Sequence, residues 1–523
     1  MTDQTRLRRF HSACWDEQLL TDMSVDGERG ILVPTPEREI MDAFHSLDGL
    51  VPASVARDRP PNLPELAQPQ VVRHFSRLSQ MTMGGDVQSD IGQGTCTTKY
   101  NPKVNERLAG LPQMTEMHPL QPVETAQGIL EILHRARGFM MEIAGMDEVS
   151  FQPGHGGQAV MAAAAMVKAY HEARGEAHQR DQVITTIHSH PCNPSGPAAV
   201  GYEVITLWPD DRGYPDLAAL EAVVSDRTAA IFITNPEDVG LYNPQIDQIV
   251  DIVHGAGGLC YTDQANLNGV IGRARAGDAG FDMCHFNLHK TFATPHGSHG
   301  PGCAALCVSD YLARYLPLPI VTFDGHSYGL DFDRPDSIGR VKDFVGNAMV
   351  VLRAYAWVMN LGAEGLKQVA DTTVLNNNYL AELLLGIPGV EYSYGTDDRR
   401  RLDQIRFTLE KITRDTGITA ADLSTRITDF GLQKFWLSHH PVTVPEPCTP
   451  EPTETNSLQE LEEWAAAMRQ MVEEAYETPD VIRTAPHNGV TTRLDRSYLE
   501  RPELTYVTWR QWKHATEKAA SVS

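Results

Sequence analysis

Five short apolar runs recur at residues 183–187, 204–207, 229–233, 258–261 and 283–286, each closed by a polar or glycine-rich turn. Helix-like stretches, apolar at intervals of three and four, lie at 126–143, 158–173, 217–224 and 246–256. Strands alternating with helices predict an α/β fold with a mainly parallel sheet covered on both faces. The first 110 residues are broken by short polar and proline-rich patches and read as an arm with short helices. From Ser337 the pattern turns helical, with 347–361 a long candidate. A strand-like run at 404–409 and an amphipathic stretch at 457–475 then suggest a small α+β unit. The expected division is an arm over 1–110, a large domain over 111–355 and a small C-terminal domain over 356–523. That agrees with about three domains for 523 residues.

Charge and cysteine usage narrow the classes of function. Acidic residues number 68 against 44 basic ones, a formal net charge of −24. A nucleic-acid or anionic-membrane binder needs a positive footprint, so neither is expected. The longest apolar run, 159–167, is nine residues, against the roughly 20 needed to cross a bilayer. The N-terminus carries no apolar stretch after its basic residues, so no secretory signal is expected. Eight cysteines are scattered with no CxxC pair, and Cys303 and Cys307 sit in an apolar stretch that favours buried thiols. A reduced, soluble, cytoplasmic protein is the expectation.

In open parallel sheets, ligands gather at the carboxyl ends of the strands. The residues there are Pro153-Gly154-His155-Gly156-Gly157-Gln158, His188-Ser189-His190-Pro191-Cys192-Asn193, Asn235-Pro236-Glu237-Asp238, Asp263-Gln264-Ala265-Asn266 and Asn287-Leu288-His289-Lys290-Thr291. Three of these suit pyridoxal 5'-phosphate, which needs a lysine for a Schiff base, a carboxylate on the pyridine nitrogen and a phosphate cradle. Lys290 is the candidate lysine and Asp263 the candidate carboxylate. The glycines at 154–157, just before a helix, are the candidate cradle. Taken singly, each has a plainer reading: a surface lysine, a capping aspartate, a turn. Their order and spacing favour the cofactor.

The segment Asn287-Leu288-His289-Lys290-Thr291-Phe292, followed by Pro295-His296-Gly297 and Gly300-Pro301-Gly302, resembles the lysine segment of glycine decarboxylase, the P-protein of the glycine cleavage system. The likeness is to its lysine-bearing subunit 2. It extends through Cys96-Thr97, Lys99-Tyr100-Asn101-Pro102-Lys103, Tyr170-His171-Glu172-Ala173-Arg174-Gly175, Ser337-Ile338-Gly339-Arg340-Val341-Lys342 and Glu451-Pro452-Thr453-Glu454-Thr455, covering roughly residues 70 to 490. The resemblance implies a type I, aspartate-aminotransferase-like fold, with Lys290 as Schiff-base lysine and Asp263 on the pyridine nitrogen. It also implies glycine decarboxylation, with the aminomethyl group passed to a lipoyl carrier protein. His190 is expected as a further catalytic residue. Gly156, Gly157, Gln158, His289 and Asn266 are expected at the cofactor, and Thr95, Thr97, Lys99, Asn193 and His296 at the amino-acid substrate.

Several positions depart from the family pattern. The family's ring-stacking histidine falls on Gln158, leaving Gln158 or His155 to cover the ring, with His190 on the other side. Its His-Gly-Thr-Asn-Pro becomes His190-Pro191-Cys192-Asn193-Pro194, and its Asn-Pro-Asn-Thr becomes Asn235-Pro236-Glu237-Asp238. Ser298 and His299 interrupt the glycine run, and Gln264 replaces a glycine. The new acids would favour a cationic substrate group or repel a carboxylate. A second reading therefore stands beside the first: a repurposed transaminase, oxidase or lyase acting on another amino acid without lipoyl protein.

Type I enzymes build their sites at subunit interfaces, and the altered pocket favours a homodimer over pairing with a lysine-lacking subunit. A purely structural subunit is the non-catalytic alternative, and the presence of Lys290 argues against it. Histidine pairs such as His188/His190, His285/His289 and His296/His299 raise a metal reading, but HExxH is missing and the spacing is generic. No metal is expected, and without GxSxG neither is a serine hydrolase.

Overall fold

The computed structural model describes residues 7–43, 51–57, 59, 61, 63–84, 87, 91–92, 99–118, 121–295, 301–394, 400–440, 443–490, 493, 508, 510–511, 513–514 and 517. Its centre is a seven-stranded sheet made of β1 (Glu148–Ser150), β2 (Gln182–Thr186), β3 (Glu203–Leu207), β4 (Thr228–Thr234), β5 (Leu259–Asp263), β6 (Met283–Asn287) and β7 (Ala304–Val308). The strand order is β1-β7-β6-β5-β4-β2-β3. The β3-β2-β4-β5-β6 block is parallel throughout, while β7 runs antiparallel to both β6 and β1. This is the α/β architecture the alternation predicts. β7 itself was not anticipated: its alanines and cysteines are weak strand formers, and its place between two strands decides its conformation. Cys303 and Cys307 are fully buried there.

Two helical layers cover the sheet. One contains α1 (Gln127–Ala144), the other α2 (Gly156–Ala173). α2 presents Ala159, Val160, Ala162, Ala163, Met166 and Val167 to the sheet, and these small residues let the helix lie close over the strands. Short α3 (Cys192–Val200) follows β2, and α4 (Ile246–Gly255) follows β4. A second core forms in the C-terminal part around Trp464, Phe407, Ile412 and Leu423. α5 (Ala348–Leu385) serves both cores: Val351, Ala354 and Trp357 pack on the sheet side, Leu380 and Leu384 on the C-terminal side. The expected boundary at 355 thus falls inside one helix, which bends where Gly362 takes a φ of 64°. α6 (Leu458–Glu477) starts at a capping box, in which Ser457 accepts from the Glu460 N–H and the Glu460 carboxylate accepts from the Ser457 N–H. Among the described residues no helix is long and apolar enough to cross a membrane.

At the amino ends of the central strands, the buried Asp282 carboxylate gathers three elements. It accepts from Cys260 N–H at 2.6 Å, from the Tyr311 hydroxyl at 2.6 Å and from His254 of α4 at 2.8 Å. Its oxygens are thus occupied by three donors, which makes the His254–Cys260–Asp282 group a hydrogen-bonded knot. The bond to Asp282 raises the His254 pKa above its ordinary value. A raised folded-state pKa stabilises fully below the unfolded value of about 6.5 and fades as pH rises through the folded value. The melting temperature of the protein should therefore exceed that of His254→Gln at about pH 6, and the gap should shrink towards about pH 8. A gap independent of pH would contradict the assignment.

Candidate active site

The parallel block places the ends of β2, β4, β5 and β6 on one edge, and Asp263 is the last residue of β5. Its carboxylate is buried. Oδ1 accepts from Ala265 N–H at 2.9 Å, and Oδ2 accepts from Asn193 Nδ2 at 2.9 Å. Cys192 Sγ lies 3.8 Å from Oδ2, and His285 Nε2 lies 3.5 Å from Oδ1. Burial alone would raise the Asp263 pKa; the His285 and His190 rings, which exert this effect only when charged in the acid range where Asp263 titrates, the Ala265 N–H and the Asn193 amide outweigh it and hold the group below its ordinary value. Burial pushes His285 the other way, down to about 4, so its ring is neutral. The result is a buried, ionised carboxylate whose histidine neighbour carries no charge.

The glycine loop packs against His285 and Asn287 of β6. A Cβ on Gly156 would lie 2.8 Å from His285 Nε2 and 2.9 Å from Asn287 Nδ2, so only glycine lets the first turn of α2 sit this close to the strand ends. The first N–H groups of a helix have no partner within it, which leaves those of Gly156 and Gly157 suited to an anion. Gln158 behaves otherwise. Its N–H donates to His155 Nδ1 at 3.2 Å, its Oε1 accepts from Gly154 N–H at 2.7 Å, and its Nε2 donates to the Val341 carbonyl. Gln158 and His155 brace the loop from within, and this differs from the ring-covering role expected of them.

His190 lies in the turn between β2 and α3. Its Nδ1 accepts from Cys192 N–H at 3.1 Å and lies 3.0 Å from Cys192 Sγ. Burial lowers its pKa, as does the nearby Lys290 charge. A neutral ring whose Nδ1 accepts must carry its proton on Nε2, so His190 offers an N–H donor. The His439 ring packs edge-on against it, with centroids 4.6 Å apart, and Trp436 follows at 4.9 Å from His439. Lys290 lies in the turn after β6, where its N–H donates to the Asn287 carbonyl at 3.0 Å. Its charge acts on His190, Cys192, His285 and His439. The edge therefore brings Asp263, Lys290, His190 and the start of α2 together.

Other expected residues take different places. Asn193 is fully buried and donates to Asp263, positioning the carboxylate where a substrate contact was expected. His289 Nδ1 sits 3.2 Å from both the carbonyl and the N–H of Cys303, securing the lysine segment to the start of β7. Asn266 turns towards the C-terminal part, where its Nδ2 donates to Glu451. Lys99 is buried against Glu454 at 3.0 Å, so its charge is already answered. Thr95, Thr97 and His296 lie outside the described residues.

The two new acids are paired, which corrects the expectation of loose negative charge beside the site. Glu237 accepts from His188 Nδ1 at 3.1 Å with both groups buried, and the Tyr394 hydroxyl lies 3.2 Å from His188 Nε2. Asp238 receives both terminal nitrogens of the buried Arg406, at 3.2 and 2.7 Å. Such a fork is a strong charge-assisted contact. Asp238→Asn keeps one acceptor and loses the charge, and should cost about 2 kcal/mol, read as a lower denaturant midpoint. An unchanged midpoint would show that Arg406 finds another partner.

Sequence reasoning missed Arg406, Tyr394 and His439 as site residues, since they come from the C-terminal part and carry no local motif. His285 was legible in principle. It is a polar residue inside an apolar run, and the parallel register sets it opposite Asp263.

A family model for the glycine dehydrogenase C-terminal domain matches residues 369–491. The probable glycine dehydrogenase (decarboxylating) subunit 2 of Pyrococcus abyssi is 40% identical over 511 residues, covering 97% of this chain and 99% of that protein. The chain belongs to the glycine dehydrogenase (decarboxylating) subunit 2 family. The protein of the same description from Halalkalibacterium halodurans is 39% identical over 493 residues, covering 94% and 98% of the two chains. Among solved structures, the fold is similar to an inhibitor-bound glycine decarboxylase (P-protein) of the glycine cleavage system, with a TM-score of 0.69 and 20% identity over 84% of this chain and 99% of that one. A NifS-like protein shares the fold at a TM-score of 0.57 and 16% identity, over 74% and 100%. Because the subunit 2 relatives match nearly end to end, the family likeness takes in the arm, the sheet and the C-terminal part together.

Proposed function

We propose that this chain is the lysine-bearing catalytic subunit of a pyridoxal-phosphate-dependent glycine decarboxylase acting in the cytoplasm, with Lys290 as the lysine that holds the cofactor. The observation that carries the reading is Asp263, a buried carboxylate kept ionised beside a neutral histidine. Burying a charge is costly unless a partner answers it, and a protonated pyridine nitrogen is such a partner. The tight cradle at Gly156 is consistent with the same group.

When bound, pyridoxal phosphate supplies an electron sink for a carbanion at the amino acid's Cα. The chain's own residues do the rest. Asp263 would hold a proton at the ring nitrogen, while Asn193 and Ala265 N–H fix the carboxylate's direction. Gly156 and Gly157 would offer the first N–H groups of α2 and its dipole to the phosphate. His190 presents an Nε2–H donor, and Cys192 N–H fixes that tautomer. Lys290 provides the amine.

The family name, subunit 2, speaks for a partner subunit, while the altered wall favours self-association, and a lipoyl carrier would accept the aminomethyl group in the parent reaction. The paired Glu237–His188 and Asp238–Arg406 contacts favour a second reading, another amino acid with no lipoyl acceptor, because they rebuild the wall where the family pattern is lost. One experiment separates the readings: an amino-acid screen following cofactor absorbance and CO₂ release, with and without lipoyl protein and a lysine-lacking partner, alongside light scattering. Glycine-dependent CO₂ release that requires lipoyl protein supports the first. A response confined to another amino acid supports the second, and no lysine-bound cofactor absorbance defeats both.

A further inference from the structure

Lys99 lies where the arm meets the lysine segment. Its side chain is 2% exposed. The ammonium donates to the carbonyl of Thr291 at 2.7 Å, pairs with Glu454 Oε1 at 3.0 Å and sits 4.9 Å above the centre of the Trp357 ring of α5. Trp357 in turn packs edge-on against Phe292 at 5.7 Å. Thr291 is held on its other side, where its hydroxyl accepts from Leu267 N–H at 2.8 Å and lies 3.5 Å from Asn266 Oδ1. Two further carboxylates, Asp403 and Glu451, act on Lys99 electrostatically. Tyr100 N–H also reaches Thr455 Oγ1 at 3.3 Å, so the arm is tied to the 451–455 segment at two adjacent residues.

We propose that Lys99 is a positioning residue that clamps the peptide next to Lys290, joining the arm, the lysine turn and the C-terminal part through one buried ammonium. This rests on Lys290 as the cofactor lysine. A lysine amine reaches its target from a backbone whose place is set by the neighbouring peptides, and the Thr291 carbonyl is the one Lys99 holds. A small misplacement of a reacting group can cost about a hundredfold in rate. The contrasting role, recognition of the substrate carboxylate, requires a free charge, whereas this ammonium is directed at Glu454 and a backbone carbonyl.

The test is Lys99→Met in the full chain, which keeps the stem over Trp357 and removes the ammonium, with Glu454→Gln as a milder variant should the first not fold. Hydrogen exchange of residues 290–294, measured with and without added cofactor, should rise about tenfold in Lys99→Met and less in Glu454→Gln. Rates of cofactor spectral change with glycine and with methylamine, which lacks the carboxylate, should fall together by about tenfold or more. Unchanged exchange, or a loss confined to glycine and read as a higher KM with kcat intact, would overturn the proposal and return Lys99 to substrate binding. A wild-type chain that takes up no cofactor would defeat the proposed function alone, because exchange without cofactor still reads the clamp.

Discussion

Lys290→Ala should leave a folded protein that no longer attaches pyridoxal phosphate covalently. Borohydride reduction of the wild type followed by peptide mass analysis should place the adduct on Lys290, and the variant should carry none. Turnover should fall by roughly 10²–10⁴-fold, the range for loss of a positioned group that makes and breaks bonds. A second signature follows from charge. Burial lowers the pKa of His190, His285 and His439 and the Lys290 ammonium of the cofactor-free protein adds to it, so without cofactor these imidazoles should titrate higher in the variant, as NMR would show. An adduct of undiminished yield in the variant would remove Lys290 from its assigned role.

Asp263→Asn should rank next. The carboxylate serves Ala265 N–H with one oxygen and Asn193 Nδ2 with the other. An amide has a single acceptor oxygen, so one of these donors loses its partner and the amide's own donors meet a donor-lined pocket. Leaving a buried polar group unmatched costs about 1–3 kcal/mol. The larger effect is electrostatic. Without the negative charge the ring nitrogen is no longer held protonated, and turnover should drop by roughly 10²–10³-fold, comparable with loss of one preorganised charge-stabilising group. The pH dependence has a definite sign. A carboxyl held below its ordinary value contributes above the unfolded pKa of about 3.9 and loses that contribution as pH falls through the folded value. The stability gap between wild type and Asp263→Asn should therefore close only at strongly acidic pH. A gap that closes near neutrality would point to a histidine instead.

Legibility differed between fold and site for a physical reason. Apolar runs at the right periods located β2 to β6, α1 and α2 to within a few residues, because burial of the inner strands β2, β4, β5 and β6 on both faces demands near-continuous apolar sequence. β7 escaped notice since its residues are small and its neighbours decide it. The helix beginning near residue 347 was found but not its length. A 38-residue helix with a glycine bend serves two cores, and no local pattern shows where one core stops. The strand-like run at 404–409 shrinks to Phe407–Thr408 in a three-stranded sheet, since pairing there depends on partners distant in sequence.

The sequence alone determined which residues reach the carboxyl edge: Asp263, Lys290, His190 and the glycines at the start of α2 each end or follow a strand, and strand order brings strand ends together. Family likeness could be read from the same segments, because close approach and a Schiff-base lysine admit few residue types. What each polar side chain bonds to was decided only in three dimensions. Asn193, Gln158, Asn266 and Lys99 have side chains suited to a ligand, and in the folded chain they brace Asp263, the glycine loop, Glu451 and Thr291 instead. Glu237 and Asp238 look like free charge in sequence and are answered by His188 and by Arg406. The reason is desolvation: a buried polar group must find a partner, and the partner is whatever packing brings near, often a residue more than a hundred positions away.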